Sequence, residues 1–425
     1  MPDPDGLPEA GKSSRSLLKV LGPGLVTGAA DDDPSGIGTY SQVGAQFGYT
    51  LSWALLFSLP LMAAIQEVCA RVGAVSGKGI AANLRAHYPR ALLRFVVLLL
   101  LVANIINLGA DLGAMGAALV LLVPLPALAV TVALGVLSVL LEVFVSYERY
   151  ASVLKWATLS LFSYFAVALC AHVDWPRALH GTLVPTFEFD RDHVMAMVAA
   201  LGTTISPYLF FWQSAQEVEE QHRRHTKPLY VSPRAAGPEL RRIRTDTMVG
   251  MTFSNFTAIA IVIATAATLH SAGVTDIDSA VEAATALRPL AGDFAFALFA
   301  LGIVSTGLLG VPVLAGSAAY AVAEYFGWNE GLGRRLREAK AFYAVIALAT
   351  LAGLGINFLS INPMRALYWA AVVNGLLAPP LMAVTMLIAQ NPRVMGRLAI
   401  PRGLAVAGWI STAAMAVAAA LFLVI

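Results

Sequence analysis

Three consecutive carboxylates interrupt an apolar stretch near the start of the chain, and carboxylate oxygens are hard ligands for cations. The run Gly-Ala-Ala-Asp-Asp-Asp-Pro-Ser-Gly places Asp31, Asp32 and Asp33 side by side. Charged side chains are costly in hydrocarbon, so a membrane helix tolerates them where it breaks and lines a protein-walled cavity. We therefore predict a broken helix, with Asp33 as the N-cap and Pro34 as the first residue of its second half.

A matching interruption occurs in the second half of the chain. The segment 202–208 reads Gly-Thr-Thr-Ile-Ser-Pro-Tyr inside another apolar run. Ser206 can cap and Pro207 can start a second half-helix, as Asp33 and Pro34 do. Two interrupted membrane helices at corresponding positions of two halves indicate the binding site of a transporter.

The composition is typical of a protein with many membrane spans. Of the 425 residues, 58% are hydrophobic and 13% are charged, whereas a soluble domain carries about 25% charge. Two cysteines, Cys69 and Cys170, exclude a disulfide framework and a zinc site with Cys-x-x-Cys spacing. A net charge of +2 gives no indication of a nucleic-acid partner. No enzyme motif, cofactor motif or obligate protein partner is indicated, so we expect a non-enzymatic protein of the lipid bilayer.

Apolar windows of about 20 residues predict the membrane spans. They predict an all-α polytopic membrane protein with eleven spans, at 17–48 (broken), 50–73, 92–122, 124–145, 149–172, 192–221 (broken), 246–271, 292–326, 341–359, 365–389 and 403–424.

The basic residues predict the orientation and the internal repeat. Most of the 28 Lys and Arg residues fall on one side of the alternating loops, which places the N-terminus in the cytoplasm and the C-terminus outside the inner (plasma) membrane. Spans 1–5 and 6–10 each begin with a broken helix, and because five is odd the second set is inverted. The predicted units are a cytoplasmic tail at 1–16, repeats at 17–172 and 192–389, and an additional helix at 403–424.

Four short motifs give the chain a resemblance to a known family. They are Gly22-Pro23-Gly24 followed by Asp33-Pro34-Ser35-Gly36, the segment Gly202 to Tyr208, Asp111-Leu112-Gly113-Ala114, and Asp246 with Asn255. Their order and spacing resemble helices 1, 6, 3 and 7 of the NRAMP divalent-metal transporters. The resemblance implies the LeuT-type fold of five plus five inverted helices, with broken helices 1 and 6.

The motifs also depart from the family pattern. By resemblance, Asp33 stands at the position of the family's metal-binding aspartate. The other positions differ, with Gly36 for Asn, Ser206 for Met, Tyr208 for His, Ala114 for the third-helix Glu and Glu220 for the basic residue near the end of helix 6. This pattern is similar to the NRAMP-related magnesium transporters.

The substitutions imply a change in metal preference. A thioether helps to select manganese or iron, whereas Ser206 offers a hard hydroxyl. The expected ligands are Asp33, Asp32, the oxygens of Thr203 and Ser206, and freed carbonyls, while Gly36 removes a ligand and opens space. A roomy site with few carboxylates suits Mg²⁺, which dehydrates reluctantly, and it can also admit Mn²⁺.

Four polar residues are expected around this site rather than on the ion. Tyr208 is a candidate wall or gate, and Asn374 is placed to reach the ion through water or to bond between helices. Asp31 is expected to be a vestibule charge, and Asp32 has the same alternative, because consecutive residues cannot all face one ion. Asp111 is either a vestibule or proton-path residue or is hydrogen-bonded inside the bundle.

Acidic residues also occur at the cytoplasmic end of the sixth span. Glu217 and Glu220 either attract cations in an inner vestibule or pair with Arg223 and Arg224.

These observations predict a secondary transporter that takes up Mg²⁺, and also Mn²⁺, as a largely hydrated ion by alternating access. We expect no proton coupling, because the family's proton route is represented here by Asp111 alone. The alternatives are a proton-coupled Mn²⁺/Fe²⁺ symporter, a sodium-coupled symporter of organic solutes and a cation channel with an acidic vestibule.

Overall fold

The structure is a computed structural model, and it describes residues 22–145 and 158–425. These residues form helices joined by turns, and they contain no β-strand. The predicted tail and the beginnings of the first and fifth predicted spans lie outside the described residues. The α-helices are α1 (Pro23–Asp31), α2 (Pro34–Phe47), α3 (Ser52–Ser76), α4 (Ile80–His87), α5 (Arg90–Val120), α6 (Ala127–Phe144), α7 (Phe162–Cys170), α8 (Trp175–Leu183), α9 (Arg191–Thr204), α10 (Pro207–Arg223), α11 (Ala236–Thr268), α12 (Ala280–Thr285), α13 (Arg288–Ala291), α14 (Ala295–Phe326), α15 (Lys340–Ile356), α16 (Pro363–Gln390), α17 (Pro392–Met395) and α18 (Arg402–Val424).

Both predicted helix breaks are confirmed. The first separates α1 from α2 at Asp32 and Asp33, and the second separates α9 from α10 at Ile205 and Ser206. In each case a proline begins the second half-helix, where its missing N–H costs no hydrogen bond.

The helix lengths agree with the predicted all-α membrane architecture. Within the described residues, 9 helical segments are long and apolar enough to cross a membrane. The broken first span and the shorter apolar helix Leu159–Cys170 are additional to these nine, so the count agrees with about eleven crossings.

One predicted boundary differs from the structure. The seventh span is predicted at 246–271, but α11 already begins at Ala236. The hydrophobic window ends where the helix leaves hydrocarbon, whereas the backbone hydrogen bonds continue through the basic segment beyond it. This extension carries Arg242, which forms ion pairs at that end of the bundle.

Close glycine contacts hold the first half-helix against α11. A Cβ at Gly24 would lie 2.7 Å from the backbone nitrogen of Thr247, and a Cβ at Gly28 would overlap the carbonyl of Gly250. Small residues at a spacing of four allow membrane helices to approach backbone to backbone. The contact fixes α1 and brings the first break to the middle of the bundle.

Candidate functional site

Asp33 caps α2, as predicted. Its Oδ1 accepts hydrogen bonds from the backbone N–H of Gly36 at 2.9 Å and from the hydroxyl of Ser35 at 2.7 Å. The side chain is 1% exposed. A carboxylate at the N-terminus of a helix is stabilised by the free N–H groups and by the helix dipole. The local chain therefore provides a stable place for this buried charge.

Two other helices hold the second oxygen of Asp33. Its Oδ2 accepts from Nδ2 of Asn107 on α5 at 3.1 Å and from the hydroxyl of Tyr208 on α10 at 3.0 Å. Tyr208 also lies 3.2 Å from the carbonyl oxygen of Ala30, to which it can donate instead. Tyr208 thus joins the two broken helices at Asp33.

Asn107 connects Asp33 to two further predicted residues. Its Nδ2 lies 3.4 Å from Oδ2 of Asp111, and its Oδ1 accepts from Nδ2 of Asn374 at 3.1 Å. Oδ1 of Asp111 accepts from the backbone N–H of Ser35 at 3.1 Å. Asp33, Asp111, Tyr208 and Asn374 are therefore brought together. Asn107 was missed, although its position one helical turn before Asp111 on the same face was the available signal.

Ser206 does not cap α10 through its side chain. Its hydroxyl lies 2.9 Å from the carbonyl oxygens of both Gly202 and Thr203, and it makes no side-chain cap hydrogen bond. The predicted capping role is therefore wrong. The hydroxyl instead bonds to carbonyls near the end of the preceding half-helix, a common alternative for serine. Its oxygen keeps lone pairs with which it can accept.

Gly36 brings the two breaks close together. A Cβ at this position would lie 3.0 Å from the carbonyl oxygen of Asp31 and 3.6 Å from Oγ1 of Thr203. The structure differs here from the expected open space, because the Asp31 carbonyl occupies it. Gly36 and Thr203 therefore belong to the walls of the same buried region.

Asp31 and Asp32 face a different helix from Asp33. The hydroxyl of Ser254 on α11 lies 2.6 Å from Oδ2 of Asp31 and 3.3 Å from Oδ1 of Asp32. Both aspartates are 0% exposed. Their remaining oxygens find no hydrogen-bond partner among the described residues. The break thus separates the three consecutive carboxylates into two groups.

Ion pairs close the end of the bundle that is predicted to face the cytoplasm. Glu217 pairs with Arg242 at 2.5 Å, and their side chains are 1% and 8% exposed. Glu220 pairs with Arg223 and Arg224. Glu220 therefore has the predicted arginine partners, whereas Glu217 pairs with Arg242 rather than with Arg223 or Arg224.

The N-terminus of α1 is attached to the same end. Asp246 accepts from the backbone N–H groups of Gly22 and Gly24, both at 2.8 Å, and of Leu25 at 3.2 Å. Arg242 lies 3.7 Å from the Asp246 carboxylate. Asp246 therefore anchors α1 to α11 at the end that Arg242 closes.

A cleft lies on the other side of the break. It is lined by Ile37, Ser41 and Gln42 of α2, by Phe299 of α14 and by Leu367 of α16, among others. Ile37 is one helical turn beyond Asp33 on α2, so the cleft lies beyond the break from Arg242.

One cluster among the described residues has three side-chain atoms that could bind a metal ion and that lie within 4.8 Å of one another. These atoms belong to Glu188, Asp190 and His193. This group is at the protein surface. Asp190 caps α9 there, and the backbone N–H of His193 lowers the pKa of its carboxyl. Helix capping accounts for the position of Asp190 in this surface group.

A family model described as "Natural resistance-associated macrophage protein-like" (Nramp) matches residues 24–425. The chain belongs to the Nramp family. Relatives named divalent metal cation transporter MntH include one from Mesorhizobium japonicum, 27% identical over 424 residues, which cover 96% of this chain and 88% of the relative. Another from Klebsiella pneumoniae is 26% identical over 415 residues, with 94% of each chain covered.

Solved structures share the fold. The Eremococcus coleocola manganese transporter in complex with an aromatic bis-isothiourea compound has a TM-score of 0.77 at 18% identity, covering 98% of this chain and 88% of that one. Mhp1, a nucleobase-cation-symport-1 family transporter, has a TM-score of 0.55 at 11% identity, with 94% and 92% covered. The predicted LeuT-type membrane fold of this Nramp protein is confirmed.

Proposed function

We propose that this Nramp protein takes up Mg²⁺, and also Mn²⁺, as a largely hydrated ion bound at Asp33, by alternating access and without proton coupling. Family membership and the relatives named divalent metal cation transporter support the coarser function, which is transport of divalent metal cations across the membrane. The metal preference and the mechanism are argued from the site.

The environment of Asp33 carries the proposal. Its described hydrogen-bond partners are a backbone N–H, two hydroxyls and an amide, from Gly36, Ser35, Tyr208 and Asn107. These groups donate to the carboxylate and orient it, so the ligand atoms at this position are carboxylate oxygens. Oxygen ligands suit hard cations, whereas sulfur or imidazole ligands favour the selection of manganese or iron. The position at which the family has methionine is Ser206, whose oxygen is also hard.

The number of carboxylates favours an ion that keeps its water. Asp33 and Asp111 are bridged by Asn107, and no three acidic or imidazole ligand atoms converge within 4.8 Å at this break in the described part of the chain. Mg²⁺ typically binds through one or two carboxylates and retains several waters. We propose Thr203, Gly36 and Ser206 as further wall positions that contact the hydrated ion through their oxygens or backbone.

The absence of an imidazole at the break argues against proton coupling. Each of the 7 histidines lies in a connection or near a helix end. At the corresponding position of the second break stands Tyr208, whose hydroxyl donates to Asp33. The Asp33 site therefore has no nearby side chain whose ordinary titration range is close to neutral pH.

The membrane potential alone is sufficient to concentrate a divalent ion. It contributes about 2.3 kcal/mol per charge for each 100 mV, hence roughly 4.6 kcal/mol for Mg²⁺. That free energy corresponds to a concentration ratio of roughly three powers of ten.

Alternating access requires one end to open as the other closes. In this structure the Arg242 end is closed by Glu217 and Asp246, while the cleft beside Ile37 lies at the opposite end. Release through the Arg242 end would require α1 to move away from α11. In our proposal the glycine contacts between these helices are the contacts that opening must break.

Uptake into proteoliposomes tests this proposal. Mg²⁺ and Mn²⁺ entry would be measured at a fixed potential for the wild type, Asp33→Asn and Glu188→Gln, an exposed acid that serves as the matched control. We expect apparent affinities for the two ions within about one power of ten, loss of both fluxes in Asp33→Asn, and normal flux in Glu188→Gln. A wild type that carries Mn²⁺ and excludes Mg²⁺ would contradict the proposed substrate.

The second candidate is a proton-coupled Mn²⁺ symporter, which the names of the relatives favour. Acidification of the liposome lumen in step with Mn²⁺ entry would establish it. A channel would instead show flux that does not saturate with ion concentration.

A further inference from the structure

We infer that this protein holds a second hard cation between Asp31, Asp32 and Ser254, beside the first helix break and outside the hydrogen-bond network of Asp33. The inference rests on the proposed function only in treating Asp33 as the site of the transported ion. It holds whichever divalent metal that ion is.

Unpaired oxygens are the first observation. Asp31 and Asp32 are fully buried, and one hydroxyl, that of Ser254, is the hydrogen-bond donor described for both. Oδ1 of Asp31 and Oδ2 of Asp32 have no partner among the described residues. Asp33, by contrast, receives four donors. Buried polar atoms are normally satisfied, so these two oxygens require an explanation.

The position of the two acids on the helix is the second observation. α1 ends at Asp31, and Asp32 is its C-cap. The last carbonyls of a helix and the negative end of its dipole favour a cation and disfavour carboxylates. Asp33 lies at the opposite kind of terminus, the N-terminus of α2. The same break therefore stabilises Asp33 and leaves Asp31 and Asp32 in need of positive charge.

Among the ion pairs of the described residues, none reaches Asp31 or Asp32. In the described part of the chain, the ion pairs on α11 that lie nearest in sequence to Ser254 are those of Arg242. Arg242 pairs with Glu217, Glu239 and Asp246, and it pairs with neither Asp31 nor Asp32. Adjacent buried carboxylates without a counter-charge are among the most costly arrangements in a membrane protein. A bound cation removes this cost.

The ligand chemistry defines the kind of cation. The oxygens available are Oδ1 of Asp31, Oδ2 of Asp32 and Oγ of Ser254, next to the carbonyl end of α1. This all-oxygen set suits Na⁺ or a second Mg²⁺ and offers nothing to a soft metal. It shares no hydrogen-bonding residue with the Asp33 network, which consists of Ser35, Gly36, Asn107 and Tyr208.

The location gives the second cation a role. Ser254 lies one turn beyond Gly250 on α11, and Gly250 is the residue against which Gly28 of α1 packs. A cation that joins the end of α1 to α11 strengthens the contact that must separate when the Arg242 end opens. We therefore expect occupancy of this site to favour the state in which that end is closed.

Binding stoichiometry of the purified full-length transporter tests the inference. Bound Mg²⁺ would be counted by equilibrium dialysis and mass spectrometry in sodium-free buffer, and bound ²²Na⁺ would be counted in a parallel arm. We expect two cations per chain, either two Mg²⁺ or one Mg²⁺ with one Na⁺. The double variant Asp31→Asn/Asp32→Asn should lose one and keep the other, while Asp33→Asn should show the reverse.

Ser254→Ala provides a milder variant in case the double variant does not fold. It removes the hydroxyl alone, and we expect the affinity for the second cation to fall by roughly tenfold or more. Ser138→Ala is the matched control, because Ser138 is also buried but bonds to its own helix at Leu134. It should bind both cations normally.

The outcomes separate the two proposals. One cation per chain in the wild type, lost in Asp33→Asn and unaffected by Ser254→Ala, would overturn the second site and leave the Asp33 site intact. Loss of the second cation alone in the double variant, with Asp33→Asn still binding two, would uphold the second site and contradict the proposed function at Asp33.

Discussion

Arg242 offers the most direct perturbation of the closed end. Its guanidinium lies 2.5 Å from Glu217, 2.8 Å from Glu239 and 3.7 Å from Asp246. Arg242→Gln would leave Glu217 and Asp246, each 1% exposed, without their counter-charge in the closed state. Removing one partner of a buried pair costs about 3–5 kcal/mol. Because opening returns these acids to water, we expect the equilibrium to shift toward the open end by roughly 10²- to 10⁴-fold.

Cysteine labelling measures this shift. Ser214 is 0% exposed and lies one helical turn before Glu217 on α10. Ser214→Cys in a background lacking the exposed Cys170 would therefore report opening through its reaction with a water-soluble maleimide. We expect Arg242→Gln to increase the labelling rate by at least tenfold. The matched control is Arg71→Gln, since Arg71 pairs with Glu67 within the single helix α3 at 2.6 Å. Equal labelling rates in the wild type and Arg242→Gln would refute the assignment of this cluster as a gate.

Three further outcomes follow from individual contacts. Tyr208→Phe removes one donor from Asp33, so the apparent affinity for Mg²⁺ in uptake assays should change by roughly tenfold or more, and an unchanged affinity would place the ion elsewhere. Gly28→Leu should abolish transport, because its side chain must separate α1 from α11, whereas Gly237→Leu has open space and should transport normally. Burial and two nearby acids raise the pKa of Glu330 to about 9. The folded state therefore binds a proton that the unfolded chain releases near its ordinary pKa, and Tm should fall as pH rises toward 9. Glu330→Gln should flatten this dependence, and an equally steep fall of Tm in the variant would exclude Glu330 as the group responsible.

The helix breaks could be predicted because their cause is local. Three carboxylates followed by proline cannot continue a membrane helix, so Asp33 and Pro34 define the break without any tertiary information. The membrane spans follow from hydrophobicity in the same way. Hydrophobicity could not predict the early start of α11 at Ala236, because the part of a helix that extends into water need not be apolar.

The contacts around Asp33 could be predicted only in part, because they depend on how distant helices pack together. Tyr208 and Asp111 were placed near Asp33 through the family resemblance, and Asn374 through its position on the tenth span. Asn107, which bonds to Asp33, Asp111 and Asn374, was not identified. An asparagine in a long apolar helix has many uses, and only the packing of α5 against the first break shows which one applies. The side-chain cap at Ser206 failed for a similar reason, since a serine hydroxyl bonds as readily to the preceding carbonyls.

The separation of Asp31 and Asp32 from Asp33 could be recognised only from the structure. The sequence indicated that consecutive residues cannot all face one ion, but it did not indicate what the other two would face. Ser254 lies more than two hundred residues away along the chain, and its contact with both aspartates results from the glycine-mediated packing of α1 on α11.

The reversal potential of Mg²⁺ flux tests the central claim most directly. In sodium-free proteoliposomes with a tenfold Mg²⁺ gradient, uncoupled transport of the divalent ion at Asp33 predicts zero net flux at about 30 mV, with the same value at every pH gradient. A reversal potential that moves with the proton gradient would contradict the account and establish that protons are carried with the metal.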